Sequence, residues 1–373
     1  MRAETLAAQR GEQASRKREE AEAVIDLLSE LIGSANPDDL KGPNHTVRQS
    51  LDDFSVKLNG RLIDQPEVEA TVRLMSSDVY HQFHQHDRGL THAERAYQLR
   101  KELYGDEHEL TIRALRAKGL HLLFSQSPST RHESRRVFDK IRELDPPLMH
   151  EDDEFAIRTK IAMTILLSRA EALAGWRALL DETTSKLGSE HAITSMVRNN
   201  YAGRLQSSEK LEEAERQIRL AVMHQEAQGG SDDPVASQYR VTLALVLKKR
   251  GDDANAKQIL TEELVFQRKQ LGHINRVKFR TLGLLLDVLY LQDQAESANQ
   301  LFADYVDGMK RENTEPTLFS LRWLLAMVND RQYLASPTRS NLLELVGLIY
   351  LNWTSHADAC LLYTSDAADD PTL

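Results

Sequence analysis

Apolar positions along the chain recur at helical spacing, and the small residues among them recur on a much longer period. One set, Ser77, Gly119, Ala162, Ala202 and Ala244, is separated by steps of 42, 43, 40 and 42 residues. A second set, Gly89, Ser134, Ala174, Ala214, Ala256, Ala298 and Ser340, steps by 45, 40, 40, 42, 42 and 42. Closely packed helices need a position with little side chain, into which the ridges of a neighbour fit. Two such ladders with one step predict a repeated pair of helices of about 42 residues. In most units the two small positions lie 12 residues apart, as at 202 and 214, so the turn length is fixed. Three residues after each first-helix member comes a large apolar one, Tyr80, Leu122, Ile165, Leu205 and Leu247. That is the i, i+3 stripe of a core-facing helix. Two units depart from the pattern: Leu286 fills a small-residue slot, and the second unit has a longer turn over 125–130 that contains Pro128.

These signals predict a polar helix over 3–32, a loop over 34–44, a helix over 46–58 and then seven helix pairs. The pairs span 65–104, 107–145, 151–187, 190–229, 232–271, 273–313 and 315–352. Turn formers fall where they meet, at Asp145-Pro146-Pro147, Gly229-Gly230 and Asp233-Pro234. His108 and His191 stand at equivalent points 83 residues apart, and Leu187-Gly188 and Leu271-Gly272 are 84 apart, each close to two periods. The predicted organisation is a charged helix at 1–33, a connector at 34–64 and a repeat array at 65–355. The start of a truncated repeat follows at 356–359. The tail 360–373 reads C-L-L-Y-T-S-D-A-A-D-D before its last residues, and it resembles a translated sequencing-library adapter. On that reading the sole cysteine, Cys360, carries no chemistry, and Leu342, Leu345, Ile349 and Tyr350 are expected to lack full cover at the cut end.

Composition narrows the function classes. Charged residues make up 28% and aromatics 6% of 373 residues, a balance that suits α-helix better than sheet. A formal net charge of −10 opposes generic binding to a phosphate backbone, so nucleic acid is not an expected partner. The longest apolar run, near 342–351, is about half of the roughly 20 residues that span a bilayer. The N-terminus has no apolar stretch of a secretory signal. No membrane span is predicted, and a cytoplasmic location is the default expectation.

The segment R-N-N-Y-A-G-R-L-Q-S-S-E-K-L-E-E-A over 198–214 resembles the tetratricopeptide pattern N-N-L-A-x-L-x-x-x-G-x-x-x-E-A at Asn199, Asn200, Ala202, Leu205, Glu213 and Ala214. Glu209 stands where the family usually has glycine. The 42-residue period is similar to that of kinesin light chains and their bacterial relatives. The resemblance implies an all-α, right-handed superhelical solenoid of about seven pairs whose first helices line a concave, protein-binding face. Its groove positions fall here on Arg113, Arg116, Asn199, Gln206, Gln238, Lys248, Lys249, Arg280, Asp287 and Tyr290. That set leans basic in an acidic protein, so an acidic peptide or tail is the implied ligand, with no cofactor. Ahead of the array, A-N-P at 35–37, Gly42, T-V-R at 46–48, Leu51-Asp52 and D-Q-P-E-V-E-A at 64–70 are similar to the connector of bacterial serine/threonine kinases that carry such repeats. In those proteins a kinase domain and usually a membrane helix come first, so the resemblance implies a longer, membrane-anchored parent. A stand-alone adaptor is the alternative.

The kinase motifs themselves are absent: there is no V-A-I-K, H-R-D or D-F-G, and Asp53-Phe54-Ser55, the nearest string, lies within a predicted helix. No enzyme activity is expected of this chain. The run Y-H-Q-F-H-Q-H-D places His81, His84 and His86 near one another, which would suit a transition metal. Without regular ligand spacing it reads as a solvated helix end. The carboxylates at 151–154 read as a helix N-terminus favoured by its dipole.

Overall fold

The computed structural model describes residues 47–58, 60–62, 64–83, 85–125, 128–144, 154–271 and 276–312. The polar helix expected over 3–32, the connector up to residue 46, the pair over 315–352, the truncated repeat and Cys360 lie outside them. The described residues form thirteen helices and no strand. Helix α1 is Val47–Leu58. Then come α2 (Pro66–Gln82), α3 (His86–Tyr104), α4 (Glu109–Phe124), α5 (Pro128–Leu144), α6 (Glu154–Ile165) and α7 (Arg169–Leu187). They are followed by α8 (Ala192–Ser207), α9 (Leu211–Gly229), α10 (Pro234–Lys249), α11 (Asp253–Leu271), α12 (Arg276–Leu291) and α13 (Ala295–Glu312). The all-α expectation holds, and α2 to α13 fall where six of the seven predicted pairs were placed.

The turns explain why helices alternate at this period. Within the hairpins the amides of Gln85, Lys210, Asp252 and Gln294 each donate to a carbonyl five residues back, on Tyr80, Leu205, Leu247 and Leu289, all at 2.9 Å. This bond closes a helix on a residue in the left-handed conformation. At three equivalent points that residue is Glu209, Gly251 and Asp293, with φ of 58°, 83° and 57°. Glycine adopts such a φ without steric cost, whereas a side chain crowds the following carbonyl. Glu209 is exposed and, among the described residues, its side chain reaches only Lys249, at 3.7 Å. Glu209→Gly is therefore expected to stabilise the chain by about 0.5–1 kcal/mol, the relief of strain exceeding the added freedom of the unfolded chain. Urea unfolding measures this, and a destabilised variant would show that the side chain matters more than the backbone.

Between hairpins a different device recurs. Gly105, Gly188 and Gly230 follow second helices with φ of 84°, 93° and 81°. The next helix is then capped by a side chain. His108 Nδ1 accepts from the amide of Leu110 and His191 Nδ1 from that of Ile193, each at 3.2 Å, while Asp233 accepts from Val235 and Ala236. The equivalence of the two histidines in the sequence is thus an equivalence of helix caps.

The chain divides within α7, at 172/173, into two compact units. In the first, Leu51, Phe54 and Leu58 of α1 form a core with Val68, Val72 and Tyr80 of α2. Phe54 of the Asp53-Phe54-Ser55 string is thus a core residue. Polar bonds reinforce the contact: the Tyr80 hydroxyl donates to Asp52 at 2.8 Å, Arg88 pairs with Asp52, and His92 Nε2 lies 3.1 Å from Ser55 Oγ. A second core gathers Ile112, Leu115 and Leu122 of α4, Val137, Phe138 and Ile141 of α5, and Phe155 and Ala162 of α6. A Cβ on Gly119 would come within 2.9 Å of both Val137 and Phe138, which is why this position must be small.

In the second unit Ala202, Ala214, Ala244 and Ala256 are fully buried, as the ladders require. Leu286 is equally buried in its small-residue slot. One member was misassigned: Ala174 is exposed, and the buried small residue is Ala172, 1% exposed and 42 residues before Ala214. The turn between α6 and α7, over 166–168, is two residues shorter than the 12-residue rule assumed. A largely buried polar network joins α9, α10 and α11. Arg240 pairs with Glu263, which is 4% exposed, and with Glu226 at 2.6 Å, while Ser237 and Gln267 complete the set.

Candidate functional site

Because α8, α10 and α12 each open a hairpin in the second unit, they lie side by side and present one continuous face. On it is a solvent-open depression of about 270 Å3. Most of its lining comes from α8, through Asn199, Asn200, Gly203, Arg204 and Ser207. Thr242 of α10 and Arg280 of α12 complete the lining. The helical period accounts for the α8 set, since residues three and four apart share a face. Ala202 turns inward and is buried, so its neighbour Gly203 turns outward with open space over its Cα.

The depression is polar and cationic. Two guanidinium groups, two carboxamides and two hydroxyls line it, and none of its lining residues is acidic. The shielded Oδ1 of Asn199 has no hydrogen-bond partner among the described residues. A carboxamide offers both a donor and an acceptor, the complement of a peptide unit. Guanidinium groups bind carboxylates through paired N–H donors.

Of the ten groove positions expected from the sequence, Asn199 and Arg280 meet in this depression. Gln206 does not point into it and is buried, 8% exposed. On α8 the position five after the small residue, Ser207, faces outward in its place, because the fourth lies on the inner side of the helix. Lys248 is tied to Asp287 at 3.0 Å, joining α10 to α12 and neutralising both charges. Lys249 is exposed beside Glu209, and Gln238 and Tyr290 are exposed. Asn200 was expected only as a motif match, and Gly203, Arg204, Ser207 and Thr242 carried no expectation. The one signal in the sequence was Gly203 directly after a ladder alanine, a helical glycine that opens space at the surface.

Arg113 and Arg116 belong to the first unit. Their guanidinium groups sit over the Phe155 ring, at 4.7 and 5.0 Å from its centroid, and Arg113 also pairs with Glu109 at 2.8 Å. Stacking of this kind fixes the two cations between α4 and α6. The histidine cluster is not a solvated helix end. His81 and His86 are half-buried and pack edge to face, and the buried ring of His121 from α4 joins them. His84 lies outside the described residues. Among the described residues no helix is long and apolar enough to cross a membrane.

No protein-family model matches the sequence, and no curated protein matches it. Solved structures do. BtubC (BKLC) from P. vanneervenii aligns with 62% of this chain and 94% of its own, at 13% identity and a TM-score of 0.51. TPR-like repeats of a kinesin-light-chain type protein from Podosopora anserina align with 56% of this chain and 96% of their own, at 14% identity and a TM-score of 0.42. Yeast Tom70 aligns over 84% of this chain and 62% of its own, at 14% identity and a TM-score of 0.43. At these identities the likeness to BtubC is one of fold, and with the hairpins described above it makes this chain an all-α array of tetratricopeptide-like repeats.

Proposed function

We propose that the array is a protein-interaction module that holds an extended, acidic peptide segment along α8, α10 and α12. The observation that carries this reading is the depression in which Asn199, Arg204 and Arg280 converge without a lining carboxylate. Asn199 would bond the peptide backbone, and the two guanidinium groups would take up aspartate or glutamate side chains. The net charge of −10 makes the local cationic patch selective, because the remainder of the surface repels an acidic ligand.

Arg204→Ala and Arg280→Ala are each expected to weaken binding of acidic peptides about tenfold and to leave thermal stability unchanged. A peptide array probed with wild type and both variants measures this. Equal retention of acidic and neutralised peptides by wild type would overturn the proposal. The connector resemblance supports a longer parent in which the array follows a serine/threonine kinase. An open frame upstream of Met1 carrying H-R-D and D-F-G would establish that parent, and a stop codon just ahead of Met1 would favour a stand-alone adaptor.

A further inference from the structure

We propose that His81, His86 and His121 form a binding site for a divalent transition metal ion of the zinc class, fastening the first hairpin to α4. A ring nitrogen from each of the three lies within 4.8 Å of those of the other two. Their ring centroids are 5.4, 5.5 and 5.7 Å apart and the planes are inclined by 57° to 80°, so the imidazoles gather without stacking on each other. Zinc–nitrogen bonds of about 2.0–2.1 Å place tetrahedral donors about 3.4 Å apart. The side chains therefore close by up to about 1.4 Å, within reach of small χ rotations. Three neutral imidazoles with a fourth position left for water suit zinc, copper, nickel or cobalt and not the oxygen-seeking calcium or magnesium.

The surroundings orient the deepest ligand. His121 is 1% exposed, and its Nε2 lies 2.8 Å from the hydroxyl oxygen of Ser77. Its Nδ1 is buried and makes no hydrogen bond among the described residues. With the hydroxyl accepting from Nε2–H, the lone pair is on Nδ1, the state a metal requires, and this is the supporting role a neighbouring acceptor gives a ligating histidine. Gly89 makes room for the ring: a Cβ there would lie 2.0 Å from His121 Cε1. Phe124 covers the outer side, stacked on His86 at 5.8 Å and edge-on to His81 at 5.4 Å. His81 and His86 flank the turn between α2 and α3, so a bound ion would lock that turn onto α4.

The test is calorimetric titration of the full, untagged chain with zinc chloride, alongside cobalt absorption spectra. Wild type is expected to take up a single equivalent of zinc and to give the intense visible bands of tetrahedral cobalt. His86→Ala, at a half-buried helix start, should weaken zinc binding at least tenfold, and the exposed control His132→Ala should not. Ser77→Ala keeps the position small and should weaken binding about 10- to 100-fold through the orientation of His121. Zinc binding that is equal in wild type and His86→Ala, or lost equally in His132→Ala, would overturn the site. His121→Ala gives the same loss if it folds, as its circular dichroism shows, and His86→Ala decides the matter if it does not.

Discussion

Glu263→Ala is expected to destabilise the second unit by about 3–5 kcal/mol, the largest effect of any single truncation considered. Glu263 is 4% exposed and is the carboxylate against which Arg240 is held, with Ser237 donating a further bond. Its removal leaves a guanidinium mostly out of water with only Glu226 and the Ser231 carbonyl to bind it. The penalty is that of an uncompensated charge, not the net worth of the pair. Replacing Glu263 and Arg240 together by leucine and methionine should recover most of the loss. The exposed pair of Arg142 with Asp139 is the control, and Arg142→Ala should cost less than about 1 kcal/mol. Urea melts of these three variants and wild type measure the difference. A cost for Glu263→Ala no larger than that for Arg142→Ala would show that water reaches the network.

Acid is expected to loosen the first unit before carboxylates titrate. Burial, and then the positive charge of Arg73, depress the His92 imidazole from 6.5 to about 4. Its ring stacks on Tyr80 at 5.4 Å and its Nε2 meets Ser55. Because the folded pKa is the lower one, the unfolded chain binds the proton first as pH falls. The contribution of His92 is present above about pH 6.5 and is lost progressively down to about pH 4, for a total of up to about 3 kcal/mol. Wild type should therefore lose more stability between pH 7 and pH 5 than His92→Gln does. Parallel slopes for the two proteins would contradict a buried neutral histidine at this position. Since His92 and Ser55 join α3 to α1, the first consequence of acid should be release of α1, visible as faster amide exchange over 47–58.

Most of the fold was legible because it rests on local, periodic features. The small-residue ladders, the capping residues and the turn glycines repeat at nearly constant step, and each has a steric cause that holds wherever the residue appears. Ala174 shows the limit: a constant 12-residue spacing was imposed on the one hairpin whose turn is shorter, and Ala172 took the place assigned to it. Glu209 shows another. It stands where the family usually has glycine, yet the backbone keeps the left-handed conformation and carries the strain.

The site was legible only in part. Asn199 was visible through its motif and Arg280 through its register, but Arg204 and Thr242 share the depression because three helices align side by side, which no local pattern expresses. Gln206 failed since one residue along a helix turns the side chain by about 100°, enough to pass from surface to interior. The histidine cluster was read from three neighbours in sequence, His81, His84 and His86. The third ring of the cluster is His121, brought in by the packing of α4 against the first hairpin.

The central claim is that the face of α8, α10 and α12 is the docking surface of the second unit. Hydrogen exchange of the full chain with and without a saturating acidic peptide tests it most directly. The account predicts added protection over 199–207 and near Thr242 and Arg280, with α9 and α11 unchanged. Protection concentrated on α9 and α11, with the depression exchanging as in the free chain, would contradict it.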